Sequence, residues 1–238
     1  MHEWPALGLM FADATASMDA WFLSKTRARF RCSMDHTSQP SLRSVVRSAV
    51  VVEGGLVIVA LALGWLLSES PLRKINVSLA GVAIGLLATL PMLAGLLVVD
   101  RFPLGPFKHL EDVMRGSILP LFRGASLVDL LLISLLAGLG EELLFRGVVQ
   151  DYFQRVTGSP WMAVGIASLL FGLVHPITKA YAILAGLIGV YFGGLYLATG
   201  NLIVPIVAHA AYDFVALVYL LRAPDEKPID AVVDEWLP

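Results

Sequence analysis

Six ionisable side chains stand within apolar stretches in the second half of this 238-residue chain. Glu141, Glu142 and Arg146 lie in GLGEELLFRG, His175 follows Phe171 in FGLVHP, and His209 and Asp213 lie in VAHAAYD. A carboxylate and an imidazole that share a water can take its proton and generate a nucleophile. A further polar donor can hold the oxyanion of a tetrahedral intermediate. Glu141, His175 and His209 therefore suit hydrolysis of an amide with no covalent intermediate. The same three could also offer two nitrogens and one oxygen to zinc, although HExxH is absent. GxSxG is absent as well, and no Ser or Cys sits in a nucleophile motif, which argues against serine or cysteine catalysis. No Gly-rich phosphate loop leads into a soluble domain.

Helical geometry sorts these residues. Glu142 and Arg146 are four apart on one face and can pair, while Glu141 points about 100° around the helix and is left to face something else. His209 and Asp213 also share a face, so Asp213 can orient the imidazole. Structural readings exist for each group: an inert ion pair, or a histidine satisfied in a core. Yet a central charge costs about 2.5–3.5 kcal/mol in a bilayer, and six such groups together point to a site.

The elements that must carry them follow from composition. Hydrophobic residues make up 57% of the chain and charged residues 15%, with a mean hydropathy of +0.76. A soluble domain is nearer 45–50% apolar and about 25% charged, so an ordinary globular enzyme and a disordered chain are both excluded. The net charge of −2 leaves no basic footprint for nucleic acid, and a single cysteine, Cys32, excludes a disulfide framework and any CxxC site. The expected fold is an all-α, polytopic membrane bundle of about six transmembrane helices. Apolar runs place them at Val45–Leu67, Ile75–Val99, Leu127 to beyond Arg146, Trp161–His175, Ala180–Ala198 and Leu202–Leu221. With the N-terminus inside, 13 of the 17 Lys and Arg fall in inner segments, three in outer loops and Arg146 within a helix, so both termini are expected in the cytoplasm.

Four regions are expected. Residues 1–44 form a cytoplasmic or interfacial segment, not a signal peptide: Leu7, Met10, Phe11, Ala14, Met18, Trp21 and Phe22 recur at helical spacing before Lys25, Arg27, Arg29 and Arg31. That pattern suits an amphipathic helix on the inner membrane surface, or one packed on the protein itself. Residues 45–126 hold two spans and an inner loop with a short amphipathic helix around Phe107–Leu119. Residues 127–221 carry the chemistry on four helices, and 222–238 form an acidic, proline-containing mobile tail. Gly81 with Gly85, and Ala185 with Gly189 and Gly193, are read as packing stripes, and Ser134 and Gly138 leave room for a close neighbour. Glu141 and His175 are each 17 residues from the turn at Gly158, which predicts a shared depth. His209 is only nine residues past Gly200, and reaches them only if the third and fourth helices protrude beyond that turn.

EExxxR, then FxxxH, then HxxxD, on successive transmembrane helices, resembles the type II CAAX prenyl endopeptidases and their bacterial relatives, the CPBP or Abi intramembrane proteases. The likeness covers about two-fifths of the chain, from Leu127 to Leu221, while the first two helices carry no signature. It implies a glutamate-dependent intramembrane endopeptidase with no metal or other cofactor, acting on membrane-associated peptides or proteins. Glu141 and His175 would activate water, His209 and Asp213 would stabilise the oxyanion, and Glu142, Arg146 and Phe171 would support them. Asp213 departs from the Asn of the best-studied members, and an ionised Asp cannot donate, so it must be protonated or orient His209. The short six-helix form looks bacterial, and its substrate need not be prenylated. Alternative readings are a non-catalytic peptide-binding or bacteriocin self-immunity protein, a zinc-dependent membrane protease, and a proton-coupled transporter, although no inverted repeat supports the last.

Overall fold

The computed structural model describes residues 40–102 and 105–222. All of their regular structure is helical: α1 (Leu42–Leu67), α2 (Leu79–Arg101), α3 (Pro106–Val113), α4 (Leu127–Leu144), α5 (Asp151–Thr157), α6 (Pro160–Leu173), α7 (Lys179–Thr199) and α8 (Ile203–Arg222). A π-helical turn, Phe145–Gln150, carries α4 into α5, and short turns at Pro71–Lys74, Met114–Ile118 and Leu119–Phe122 link the rest. The interfacial segment and mobile tail predicted at 1–44 and 222–238 lie, but for a few residues, outside the described residues. The inner-loop helix predicted near Phe107–Leu119 appears as α3 and its π continuation.

Helix starts follow local chemistry. Ser41, Ser78, Ser126, Ser159 and Thr178 each accept a backbone N–H from the first turn of α1, α2, α4, α6 and α7, satisfying donors that a helix end leaves over. Ser126 and Asp129 do so reciprocally as a capping box. Gly158 and Gly200, at φ +68° and +62°, end α5 and α7 in the left-handed conformation that favours glycine.

The predicted apolar segments all appear as helices. Four, α1, α2, α7 and α8, are each long and apolar enough to cross a membrane. Pro106–Phe122 with Leu127–Thr157, bent by 115°, gives a fifth if the two count as one span. α6, with 14 residues, rises only about 21 Å, short of a hydrocarbon core of about 30 Å. About six spans thus resolves into four or five full ones and a shorter apolar helix. Val51, Val52, Ile58, Trp65, Leu66, Leu87, Leu169 and Leu187 are exposed, an apolar outer surface suited to lipid.

Helix α4 is the central element, flanked by α1 and α8, with α2 against α8 and α6 against α7. Glycine makes this possible on two sides of one helical turn. A Cβ on Gly138 would lie 2.8 Å from the Ala210 nitrogen and 2.9 Å from the Ile206 carbonyl oxygen of α8. A Cβ on Gly140 would lie 2.7 Å from the Glu53 carbonyl oxygen of α1. The stripes on α2 and α7 likewise pack, Gly85 against α8 and Gly189 against Ser168 of α6.

The depth of His209 also resolves here. The turn after α7 meets the bundle near Gly147, not Gly158: Leu202 donates its N–H to the Lys74 carbonyl at 2.9 Å, Lys74 Nζ reaches the Gly147 carbonyl at 3.2 Å, and a Cβ on Gly147 would lie 2.9 Å from Leu202. Glu141 is six residues from Gly147, and His209 seven from Leu202, so both reach one level. Helix α5 and the start of α6 project beyond that turn, as the shared depth requires.

Gly138→Leu is expected to wedge α4 from α8 and lower stability by about 1–3 kcal/mol. Gly165→Ala, where nothing lies within 4 Å, is expected to change it by less than about 0.5 kcal/mol. Thermal unfolding of the detergent-purified protein reads both, and equal melting would mean that the contact at Gly138 does not hold the bundle.

Candidate active site

The last turns of α4 bring four consecutive demands onto one helix: close packing at Gly138 and Gly140, then Glu141 and Glu142. Glu142 is fully buried, and its Oε1 accepts from Arg146 Nη1 at 2.8 Å and faces His209 Nδ1 at 2.9 Å. Arg146, 1% exposed, also donates Nη2 to the Gly189 carbonyl of α7 at 3.1 Å. Its guanidinium lies over the rings of Phe171 and Phe192, 4.6 and 5.3 Å from their centroids. A buried arginine thus has a carboxylate, a carbonyl and two aromatic faces as partners, which is what keeps such a charge tolerable in a medium that solvates it poorly.

Phe171 organises a second layer. Buried on α6, it meets Phe145 edge to face at 5.0 Å and His175 at 4.6 Å between centroids. Its carbonyl oxygen lies 2.7 Å from His175 Nδ1. A carbonyl only accepts, so Nδ1 carries the hydrogen and Nε2 turns towards Glu141, whose Oε1 is 3.8 Å away. Separations beyond about 3.5 Å between such groups suit a bridging water. His175 lies two residues past the end of α6, its side chain part-exposed at 21%.

His209 closes the cluster from α8. Its ring stacks on Phe192, 4.9 Å between centroids at 21°. Nδ1 faces Glu142, and Nε2 lies 3.3 Å from Asp213 Oδ2 and 4.0 Å from Glu141 Oε2. Glu141 is unusual: the residue is 9% exposed, and its Oε2 has no hydrogen-bond partner among the described residues. All seven predicted residues, Glu141, Glu142, Arg146, Phe171, His175, His209 and Asp213, therefore converge.

The first helix is not silent, as its sequence suggested. Glu53 on α1 stands against the turn that carries Glu141, its backbone carbonyl oxygen 2.7 Å from where a Cβ on Gly140 would lie, and its Oε2 is buried with no hydrogen-bond partner among the described residues. The signal was available: Glu53 is the one charge in the run VVVEGGLV, and ionisable residues within an apolar span mark sites by default. Tyr181 of α7 also joins, its ring 6.0 Å from that of His175. Among the described residues, no three His, Cys, Asp or Glu side chains are grouped so as to hold a metal ion.

Comparison with known proteins identifies a family. A family model described as type II CAAX prenyl endopeptidase Rce1-like matches residues 123–215, which include every predicted site residue. The uncharacterized protein YpbD of Bacillus subtilis (strain 168) is 32% identical over 147 residues, covering 60% of this chain and 69% of that protein. No solved structure matches the chain.

Arg146→Ala would leave Glu142 buried without its charge partner, and is expected to destabilise the fold by about 3–5 kcal/mol. Arg155→Ala, removing a half-exposed ion pair with Glu69, is expected to cost no more than about 1 kcal/mol. Melting of the two purified variants reads the difference; similar values would show that Arg146 does not anchor the cluster.

Proposed function

This chain belongs to the Rce1-like family of type II CAAX prenyl endopeptidases, and we propose that it hydrolyses peptide bonds of membrane-associated substrates with water activated by Glu141 and His175. It is an integral membrane protein. The observation that carries the mechanism is the opposition of the Glu141 carboxylate to His175 Nε2 at 3.8 Å, with the tautomer set by Phe171.

Water held between these groups gives a proton to the Glu141 carboxylate while its oxygen attacks the scissile carbonyl carbon. The carbonyl oxygen becomes the oxyanion of a tetrahedral intermediate. His209 Nε2–H, flanked by Glu141 and Asp213, donates to that oxygen. Glu142 accepts from Nδ1–H and so favours an imidazole that can donate from both nitrogens. Collapse re-forms the carbonyl and breaks the C–N bond, and the proton on Glu141 passes to the leaving amine. Water is consumed, a carboxylic acid and an amine are released, and Glu141 returns to its starting state. Asp213 works through His209 in this scheme, holding the ring by its contact at 3.3 Å, so the missing Asn is no obstacle.

No metal enters the proposed cycle. The substrates are peptides or proteins associated with the bilayer, with no role for nucleic acid. A bacterial cytoplasmic membrane with both termini inside is supported by the 13 Lys and Arg of the inner segments against three outside.

Cleavage of a membrane-peptide library by detergent-purified protein tests this. Wild type is expected to cut with or without chelator. Glu141→Ala and His175→Ala are expected to lose about 10²–10⁴-fold in rate, the usual contribution of general acid–base groups. Asp213→Asn is expected to stay within about tenfold of wild type, the mark of an orienting residue whose amide still accepts from Nε2–H. Activity abolished by chelator would move the site to zinc, and mutants that cut as well as wild type would favour a peptide-binding protein.

A further inference from the structure

Phe192 has no part in the cycle above, yet it touches two of the groups that build the site. It lies on α7 three residues after Gly189, on the same face, and is fully buried at 0% exposure. Gly189 gives its carbonyl oxygen to Arg146 Nη2 at 3.1 Å, and the same guanidinium lies 5.3 Å from the Phe192 centroid. The Phe192 ring also stacks on His209, 4.9 Å between centroids at 21°. Its seat is fixed from two further helices. Ala88 of α2 and Ala208 of α8 share its core cluster, and the neighbouring Tyr191 donates its hydroxyl to the Ala88 carbonyl at 2.8 Å.

His209 has Glu142 at one ring nitrogen and Asp213 at the other, which leaves one direction weakly held. Hydrogen bonds to ring nitrogens act in the plane of the imidazole, so they direct the ring within that plane and constrain its tilt far less. A contact on the ring face acts across the plane and holds the tilt. A near-parallel aromatic ring at 4.9 Å is within the range where such pairs attract beyond their buried area. Phe171 offers an edge contact instead, 6.3 Å away at 74°. Tilt matters because an N–H donates best close to its own axis, so a ring turned off that line is a weaker donor. Leucine or methionine could fill the space among α2, α7 and α8, but neither has a flat face.

We propose that Phe192 is a positioning residue, which holds the tilt of the His209 ring and so aims Nε2–H at the oxyanion. The assignment rests on the protease reading, since the oxyanion exists only if a tetrahedral intermediate forms. Arg146 and His209 are both partners of Glu142 Oε1, so one ring lines the two and keeps them in register.

The test uses the peptide that wild type cuts fastest, together with a fluorescent form in which a phosphinate replaces the scissile amide. A phosphinate oxygen stands in for the oxyanion, and such analogues bind far more tightly than substrates. Cleavage gives kcat and KM, and anisotropy gives phosphinate affinity, both on full-length detergent-purified protein. Phe192→Leu and Phe192→Met are expected to lower kcat and phosphinate affinity by about tenfold, with KM within about threefold of wild type. Phe192→Tyr, which keeps the ring, is expected to retain both. In a His209→Ala background, where no ring remains to be held, Phe192→Leu is expected to weaken phosphinate binding no further. Leu130→Ala, a buried residue of α4 about three turns before Glu141, is the control for lost packing, and is expected to lower melting with kcat unchanged. Phe192→Leu and Phe192→Met variants that match wild type, an equal loss of kcat in Leu130→Ala, or a full further loss in the His209→Ala background overturns the proposal. A wild type that cuts no peptide overturns the protease reading and this assignment with it.

Discussion

One carboxylate oxygen, Glu142 Oε1, is the constraint on which the rest depends. It accepts from Arg146 on its own helix and faces His209 across the interface with α8. Arg146 extends the link to α7 through the Gly189 carbonyl and to α6 through the face of Phe171. Four helices therefore converge on one buried ion pair. Exchanging such a pair for apolar residues is often neutral in energy, whereas breaking it is costly. Its retention is best explained by what it positions: an imidazole fixed at Nδ1, with Nε2 directed at Glu141 and Asp213.

That constraint sets a demand on packing. Polar atoms separated by 2.8–2.9 Å require helix axes close enough that ordinary side chains cannot intervene. Gly138, a turn before the carboxylates, admits α8, and Gly140, next to Glu141, admits α1, while Gly189 presents its carbonyl to Arg146. The stripe of small residues thus does more than associate helices in lipid; it brings hydrogen-bonding groups into register. The π turn from Phe145 to Gln150, which holds Arg146 itself, shifts the helix phase beyond the carboxylates. Such turns recur at functional sites, and here it carries Gln150 to the Gly193 carbonyl, one turn further along α7 than Arg146.

Much of this was legible because the bilayer makes polar residues conspicuous. Spacing alone separated Glu142, paired with Arg146, from Glu141, free to face His175, since residues four apart share a face and adjacent ones do not. Depth was legible in part. Equal distances from Gly158 correctly level Glu141 with His175, whereas the level of His209 hangs on where the turn at Gly200 docks. That docking is a tertiary contact, between Leu202 and Lys74, with no local signature. Ring tautomers are likewise tertiary: nothing in FGLVHP says that the Phe171 carbonyl will take the Nδ1 hydrogen. Glu53 escaped for a different reason. It lies in a helix without a motif, 88 residues before Glu141, and only the contact at Gly140 shows that the two share a site.

The placement of Asp213 separates two ways of holding an oxyanion. An Asn in that position can donate its own amide hydrogen, whereas an ionised Asp can only accept. With Asp213 Oδ2 3.3 Å from His209 Nε2, and Glu142 on the other nitrogen, the imidazole lies between two acceptors. Either acceptor can hold a ring hydrogen in place, so an ionised Asp213 orients the imidazole instead of donating beside it. In the proposed cycle the oxyanion contact therefore falls to His209, and Asp213 keeps that ring in place rather than donating itself.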